Sequence, residues 1–153
     1  MLISLQILLS GLISGVILFQ TAIIAPSVFK VLSLDNAGPF LRLIFPKLFM
    51  FVAILSLVGF VLSLISSNTL GLIVFFGSLL SMLICYYIVP MTNRARDEGN
   101  DNAFKKLHTV SVVLTMLVLL SNLLWVFFKW KNLKHLKNFI RIILMSIKIK
   151  KLN

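Results

Sequence analysis

The sequence predicts an all-α integral membrane protein: a four-helix bundle followed by a basic amphipathic C-terminal helix. Three observations support this fold class. Of the 153 residues, 59% are hydrophobic and 12% are charged, whereas soluble domains contain about 25% charged residues. Four apolar segments each approach the ~20 residues that an α-helix needs to cross the hydrocarbon of a bilayer. All lysine and arginine residues lie between or after these segments.

The four spans are predicted at residues 3–25, 48–66, 70–89 and 109–128, and they form one domain over residues 1–128. Proline lacks the N–H that a helix interior uses, so Pro26 and Pro90 are expected to end the first and third spans, and Pro46 to precede the second. Only SSNT (66–69) separates the second and third spans, which predicts an antiparallel hairpin. The first apolar run is too long for a cleaved signal.

Two longer connections, residues 30–47 and 91–108, fall on one side of the membrane and contain all four acidic residues. They hold seven of the 15 basic residues and the tail holds the other eight, so the positive-inside rule leaves the orientation open. Residues 129–153 are predicted to be an interfacial helix that binds anionic lipid; a disordered tail is the alternative. In this setting the net charge of +11 indicates a lipid surface and not nucleic acid.

Each span has small or polar side chains grouped on one face. Because lipid offers polar groups no partner, these faces are expected to turn inward. Most of the hydroxyl groups are expected to bond to their own helix backbone or to permit close packing. The residues that carry this pattern in the first and fourth spans are Ser4, Gln6, Ser10, Gly11, Ser14, Gly15 and Thr21, and His108, Ser111, Thr115 and Asn122.

Several short stretches resemble the transmembrane protein 205 family, which includes bacterial proteins of unknown function. They are APSVFKVL (25–32), Ala37-Gly38, IFPKLF (44–49), VPMTNRARD (89–97), LHTVS (107–111) and Ser121-Asn122. The resemblance implies a four-helix protein of the bacterial plasma membrane and no established activity. Its recurrent positions map onto Pro26, Phe29, Gly38, Phe45, Pro46, Pro90, Asn93, Asp97, His108, Ser111 and Asn122. Thr115 departs from the family, where asparagine is usual.

The polar members of this set suggest a cap over one end of the bundle. Asp97 is expected to accept a hydrogen bond from His108 and fix its tautomer, with Asn93 nearby and Ser111 and Asn122 below. Such a cap is predicted to bind or transport an ion or a small polar solute. The alternative is a structural or assembly protein, whose polar helix faces contact a partner protein or a second copy.

Neither an enzyme nor a cofactor-binding protein is predicted. His108 and Ser111 lie one helical turn apart without a nucleophile elbow or oxyanion hole. Cys85, Met82 and Met116 are minor candidates for a soft-metal site, but methionine and cysteine are also ordinary core residues. A bis-histidine haem site is not expected, because the second histidine, His135, lies in the tail.

Overall fold

The structure is a computed structural model that describes residues 1–132, a part of the chain whose secondary structure is entirely helical. It contains four helices long and apolar enough to cross a membrane, which confirms the predicted four-helix architecture. The predicted amphipathic helix of the tail, with His135, lies outside the described residues. The elements in chain order are α1 (Leu2–Phe19), a π-helical turn (Gln20–Ile24), α2 (Ala25–Val31), α3 (Leu34–Ile65), α4 (Thr69–Asp97) and α5 (Asp101–Asn132).

Three prolines that were predicted at helix ends do not terminate the membrane helices. Pro46 and Pro90 lie inside α3 and α4, and Pro26, in the first turn of α2, continues the helix begun by α1. That prediction was wrong, because contacts with neighbouring helices and locally altered turns compensate for the missing N–H in a membrane bundle. In the π turn, the Ala25 N–H donates to the Gln20 carbonyl five residues earlier, so a widened turn directly precedes the Pro26 ring.

The two connections predicted as long loops are mostly helical. Residues 34–47 belong to α3 and residues 91–97 to α4, so Gly38, Phe45 and Asn93 are helical, as Phe29 is in α2. A helix of about 30 residues is roughly 45 Å long, whereas the hydrocarbon core is about 30 Å thick. The helix ends on this side therefore extend beyond the hydrocarbon.

The turn between α4 and α5 is built by local side-chain chemistry. Gly99 adopts φ +69°, a left-handed conformation that glycine reaches without steric cost. Asn100 then caps α5, where its Oδ1 accepts a hydrogen bond from the Ala103 N–H at 3.0 Å,. This compact turn brings α5 back against α4, which positions the His108 end of the fourth span.

The α3–α4 hairpin predicted from SSNT is formed, and α5 packs against α4 and α1 to close the bundle. Gly59 permits a close approach in the hairpin, because a Cβ at this position would overlap the ring of Phe75. The bundle core is made by fully buried apolar side chains from all four spans. The largest of them are Ile13, Ile17, Val52, Phe75, Met82 and Val118.

The polar face of the first span is divided between the core and the surface. Gln6, Ser10 and Ser14 recur every four residues and are buried. Gly11 and Gly15 are each one residue further along, about 100° around the helix, and no atom lies within 4 Å of where their Cβ atoms would be. The prediction that the whole face turns inward was wrong for these glycines and for Ser4 and Thr21, which are exposed, because the inward positions are taken by Gln6, Ser10, Ser14, Ile13 and Ile17.

Candidate functional site

A closed hydrogen-bonded cluster joins α1 to the turn between α3 and α4. The Gln6 Nε2 donates to the Ser66 Oγ at 2.8 Å, and the Asn68 Nδ2 donates to the Gln6 Oε1 at 2.7 Å. The Ser66 hydroxyl in turn donates to the Leu62 carbonyl at 2.8 Å. We call Gln6, Ser66 and Asn68 the turn-end cluster. Its contacts place these three residues at one depth in the membrane.

Depths elsewhere in the bundle follow from this common level, because an α-helix rises about 1.5 Å per residue. Ser56 lies ten residues before Ser66, and Ser78 lies ten residues after Asn68, which puts both about 15 Å above the turn-end cluster. Ser14 lies about 12 Å above Gln6 on α1. The Asn122 Nδ2 donates to the Ser78 Oγ at 2.9 Å, so α5 reaches the same depth.

Each of the four spans thus contributes one buried polar side chain near the middle of the membrane. We call Ser14, Ser56, Ser78 and Asn122 the mid-depth cluster. Ser56 and Asn122 are completely buried, and Ser14 and Ser78 are 2% and 1% exposed. The described residues offer no hydrogen-bond partner to the Ser14 Oγ, the Ser56 Oγ or the Asn122 Oδ1. Leaving a buried polar group unpaired costs roughly 1–3 kcal/mol.

The orientation of the Asn122 amide decides which atom is free. Its Nδ2 also donates to the Val118 carbonyl at 2.8 Å. A carbonyl oxygen can only accept, so the amide nitrogen must face it. The Oδ1 is left without a partner within residues 1–132, and an amide oxygen can only accept. A group that binds here must therefore offer a hydrogen-bond donor or a positive charge.

Further unpaired polar atoms lie above and below this depth. The Ser10 Oγ, the Trp125 Nε1 and the Gln20 Nε2 are buried and find no partner in the part of the chain that the structure describes. By helical rise they lie about 6, 11 and 21 Å from the turn-end cluster. Trp125 packs edge-on against Phe75, with 5.7 Å between ring centroids. The unpaired groups therefore extend over about half of the membrane thickness.

The hydroxyls between His108 and Asn122 are already satisfied by their own helix. The Ser111 Oγ donates to the Leu107 carbonyl at 3.2 Å, and the Thr115 Oγ1 donates to the Ser111 carbonyl at 2.7 Å. Such bonds to the preceding turn are the ordinary way in which membrane helices satisfy serine and threonine. Ser111 and Thr115 therefore contribute packing, and Asn122 is the member of the predicted stripe that leaves a free acceptor.

The predicted hydrogen bond between His108 and Asp97 is not formed. The Asp97 carboxylate instead accepts from both terminal nitrogens of Arg42, at 2.5 and 3.0 Å. His108 is exposed and stacks on Phe104, with 5.7 Å between ring centroids. Asn93 is half-buried. The long helical extensions explain the difference, because they bring α3 beside the end of α4 and give Asp97 a cationic partner from α3.

The sulfur-bearing candidates belong to the core. Met82 and Cys85 are buried, and Met116 is partly buried against the same core cluster. The Cys85 thiol donates to the Ser111 carbonyl at 3.7 Å, so it links α4 to α5. Among the side chains that the structure describes, histidine, cysteine and acidic residues form no group of three that could hold a metal ion.

Residues 8–101, more than half of the chain, match the model of a family described as a domain of unknown function (DUF4149). The chain belongs to this family. No curated protein and no solved structure matches it. The DUF4149 match contains Ser14, Ser56 and Ser78 of the mid-depth cluster, whereas Asn122 and His108 lie beyond its last residue.

Sequence reasoning did not identify the turn-end cluster of this DUF4149 protein, although one signal was present. Gln6 is a long amide side chain within an uninterrupted apolar run, and Asn68 stands in the hairpin turn. Two amides at the same end of a membrane bundle are candidates for pairing, because hydrocarbon offers neither of them a partner. The Arg42–Asp97 pair had no such signal, because it depends on both helices continuing past a proline.

Proposed function

We propose that this DUF4149 protein is a membrane module that binds a small polar solute or ion inside its helix bundle, at the mid-depth cluster. One observation carries the proposal: the free oxygen atoms of Ser14, Ser56 and Asn122, which are buried at one depth and unpaired within the described residues. Buried polar groups usually pair with protein or with ordered water. A bound ligand that donates hydrogen bonds would supply the missing partners.

The chemistry of the cluster restricts the ligand. No lysine, arginine, aspartate or glutamate lies between residues 48 and 87 or between residues 110 and 128. A charged group without a counter-charge is costly at this depth. The cluster therefore favours a neutral donor, such as water or a small amide or alcohol, over a multivalent ion. A singly charged cation that oxygen atoms can coordinate is the less favoured ligand of the same class.

The serine hydroxyls support binding over a purely structural role. Ser63, Ser66 and Ser78 each donate to the carbonyl four residues earlier on their own helix. Ser14 and Ser56 could make the equivalent bond to Ser10 and Val52, but their hydroxyls have no partner among the described residues. Hydroxyls that serve only packing are expected to be satisfied in this way, so these two are available to a ligand.

The proposal is tested with the purified full-length protein in liposomes, comparing wild type with Asn122→Leu and with Ser121→Ala. Ser121 is the matched control, because its hydroxyl donates to its own helix at the Val118 carbonyl, 3.1 Å away. Stopped-flow light scattering reports the permeation of water, urea and glycerol. Melting temperatures in ammonium, potassium, sodium and choline chloride at equal ionic strength report ion binding, because a ligand stabilises the state that binds it.

We expect at least one probe to be bound or carried by wild type and by Ser121→Ala, and not by Asn122→Leu. If no probe distinguishes Asn122→Leu from wild type, the binding proposal is overturned, and the mid-depth cluster serves only in helix packing. Under the proposal, the protein works in a bacterial plasma membrane and is related to the transmembrane protein 205-like proteins that its sequence resembles. Anionic lipid remains the proposed partner of the tail.

The predicted alternative, an assembly role, also has an observation in its favour. Gly11 and Gly15 of the G-x-x-x-G pair face outward with open space around them, and small residues at this spacing allow membrane helices to approach closely. Under the assembly role, a second copy would occupy this face. Gly15→Leu would then shift the protein from dimer to monomer in light scattering, with Gly77→Leu on α4 as the control. A monomeric wild type would eliminate a second copy as the occupant of this face.

A further inference from the structure

A shallow groove of about 400 Å³ opens on the outer surface between α3 and α4,. It is separate from the mid-depth cluster and from the bundle interior. Most of the side chains that line it are apolar or aromatic, and one is cationic. The lining residues are Pro46, Lys47, Met50, Phe51, Ile54 and Tyr86.

The groove begins at the level where the hydrocarbon ends. By helical rise, Lys47 and Tyr86 lie about 28 and 27 Å above the turn-end cluster, which matches the ~30 Å thickness of the hydrocarbon when the hairpin turn marks its other boundary. Ile54 lies about 10 Å closer to the middle of the membrane than Lys47. One end of the groove is thus at the lipid headgroups, and the other lies beside the acyl chains.

Lys47 is the charged group of this groove, and none of the ion pairs between side chains that the structure describes includes it. The carboxylates of Asp97, Glu98 and Asp101 pair with Arg42, Arg94 and Arg96 respectively. Lys47 is exposed. An exposed cation at the membrane interface attracts anionic lipid phosphate. Tyrosine is a typical interfacial residue, because its ring is apolar and its hydroxyl can donate a hydrogen bond.

We propose that the groove is a binding site for an anionic phospholipid. The lipid phosphate lies against the Lys47 ammonium and within reach of the Tyr86 hydroxyl, and one acyl chain lies along Met50, Phe51 and Ile54. Contact between the acyl chain and the apolar part of the groove adds little binding free energy, because the surrounding lipid tails are as apolar as the groove. Selectivity for one lipid over another therefore comes from the charge of Lys47 and depends on the charge of the lipid headgroup.

The test is native mass spectrometry of the full-length protein in detergent, titrated with phosphatidylglycerol or phosphatidylcholine. Three variants are compared: Lys47→Ala, Ile54→Trp and the control Lys105→Ala. Lys105 is also exposed, but it lies about 12 Å beyond the level of Lys47. Ile54→Trp fills the apolar part of the groove without changing any charge, so it separates groove binding from binding by the basic tail.

We expect wild type and Lys105→Ala to bind one phosphatidylglycerol more tightly than phosphatidylcholine. Lys47→Ala should weaken phosphatidylglycerol binding about fivefold, as expected for the loss of one interfacial cation, and Ile54→Trp should weaken the binding of both lipids. Equal affinity for the two lipids in wild type would overturn the proposal. It would also fail if Lys47→Ala and Ile54→Trp both bound phosphatidylglycerol as wild type does, since the basic tail would then account for the binding.

Discussion

Two buried polar clusters of this bundle use the same kinds of side chain and reach opposite outcomes. In the turn-end cluster, the amides of Gln6 and Asn68 and the hydroxyl of Ser66 pair with each other across helices. In the mid-depth cluster, Asn122 pairs with Ser78, but the Asn122 Oδ1 and the hydroxyls of Ser14 and Ser56 have no partner among the described residues. Gln6 and Asn68 of the turn-end cluster are buried, as are all four residues of the mid-depth cluster. They differ in whether the protein itself completes the hydrogen bonds.

Whether the protein completes the hydrogen bonds of a polar cluster distinguishes a structural role from a binding role better than the residue types in the cluster do. A closed set of hydrogen bonds fixes the α1 register against the hairpin and leaves nothing for a ligand to complete. An open set retains an unfavourable free energy that a ligand can recover, because each unpaired group regains a partner. The variants below either break the closed cluster or remove groups from the open one.

The largest effect is expected from Gly71→Ala, next to the turn-end cluster. A Cβ at this position would lie 2.6 Å from both the Asn68 Nδ2 and the Ser63 Oγ, so Asn68 must move and lose its bond to Gln6. The free energy of unfolding should fall by about 2 kcal/mol, measured by SDS titration in mixed micelles. The control Gly77→Ala has open space at its Cβ, so its stability should equal that of wild type or exceed it by up to ~1 kcal/mol, because alanine favours a helix over glycine. Equal stability of both variants would contradict the closed packing.

A smaller loss is expected from Gln6→Leu, which leaves the Asn68 amide and the Ser66 hydroxyl without their partner on α1. Hydrogen bonds between membrane helices are worth about 0.6 kcal/mol on average and up to about 1.7, so two such bonds should reduce the unfolding free energy by about 1 kcal/mol. Gln20→Leu is the matched control, because the Gln20 Nε2 is already unpaired among the described residues. A loss of the same size in the control would show that glutamine packing, and not bonding, stabilises the bundle.

The two serines Ser66 and Ser56 provide the most direct comparison of the clusters. Ser66→Ala removes the acceptor of the Gln6 Nε2 and should lower stability by about 0.5 kcal/mol. Ser56→Ala removes a buried hydroxyl without a partner within residues 1–132, so stability should stay unchanged or rise slightly. Both variants are measured by the same SDS titration without added ligand. If Ser56→Ala is as destabilising as Ser66→Ala, the mid-depth cluster is not open.

The smallest effect is expected from Asp97→Asn, although it breaks a bidentate ion pair with Arg42. The side chains of Arg42 and Asp97 are 37% and 60% exposed, and exposed ion pairs contribute little because water and salt screen them. The free energy of unfolding, measured by the same SDS titration at physiological salt, should equal that of wild type. A decrease comparable to that of Gln6→Leu would show that the helix extensions, and not the buried clusters, hold α3 and α4 together.

The number and order of the spans could be predicted, but three of the helix ends could not. Proline is expected to end a helix because it lacks the N–H that the helical hydrogen bond uses and because its ring clashes with the carbonyl four residues earlier. In this bundle, α3 and α4 continue through their prolines, and a π turn precedes Pro26. Whether a neighbour or a widened turn compensates depends on the packed arrangement, which sequence position alone does not specify.

The candidate site was predicted in part. Asn122 was singled out correctly as polar and inward-facing, and it is completely buried. His108 was expected to meet Asp97, but Asp97 pairs with Arg42, 55 residues away in sequence. Most hydroxyl groups were predicted to bond to their own helix or to permit close packing. A sequence shows a hydroxyl group but does not show whether its hydrogen bond is made, and those of Ser14 and Ser56 are not made within the described residues.

The sequence by itself determined the membrane environment, the four spans and the α3–α4 hairpin, because these follow from apolar length and turn composition. Only the tertiary structure decided which polar atoms find a hydrogen-bond partner and which remain unpaired. That outcome depends on helix rotation and on depth, so that Gln6 meets Asn68 while Ser56 meets no partner among the described residues. Local composition does not contain this information, because each hydrogen bond between helices requires two segments to reach the same depth and face each other.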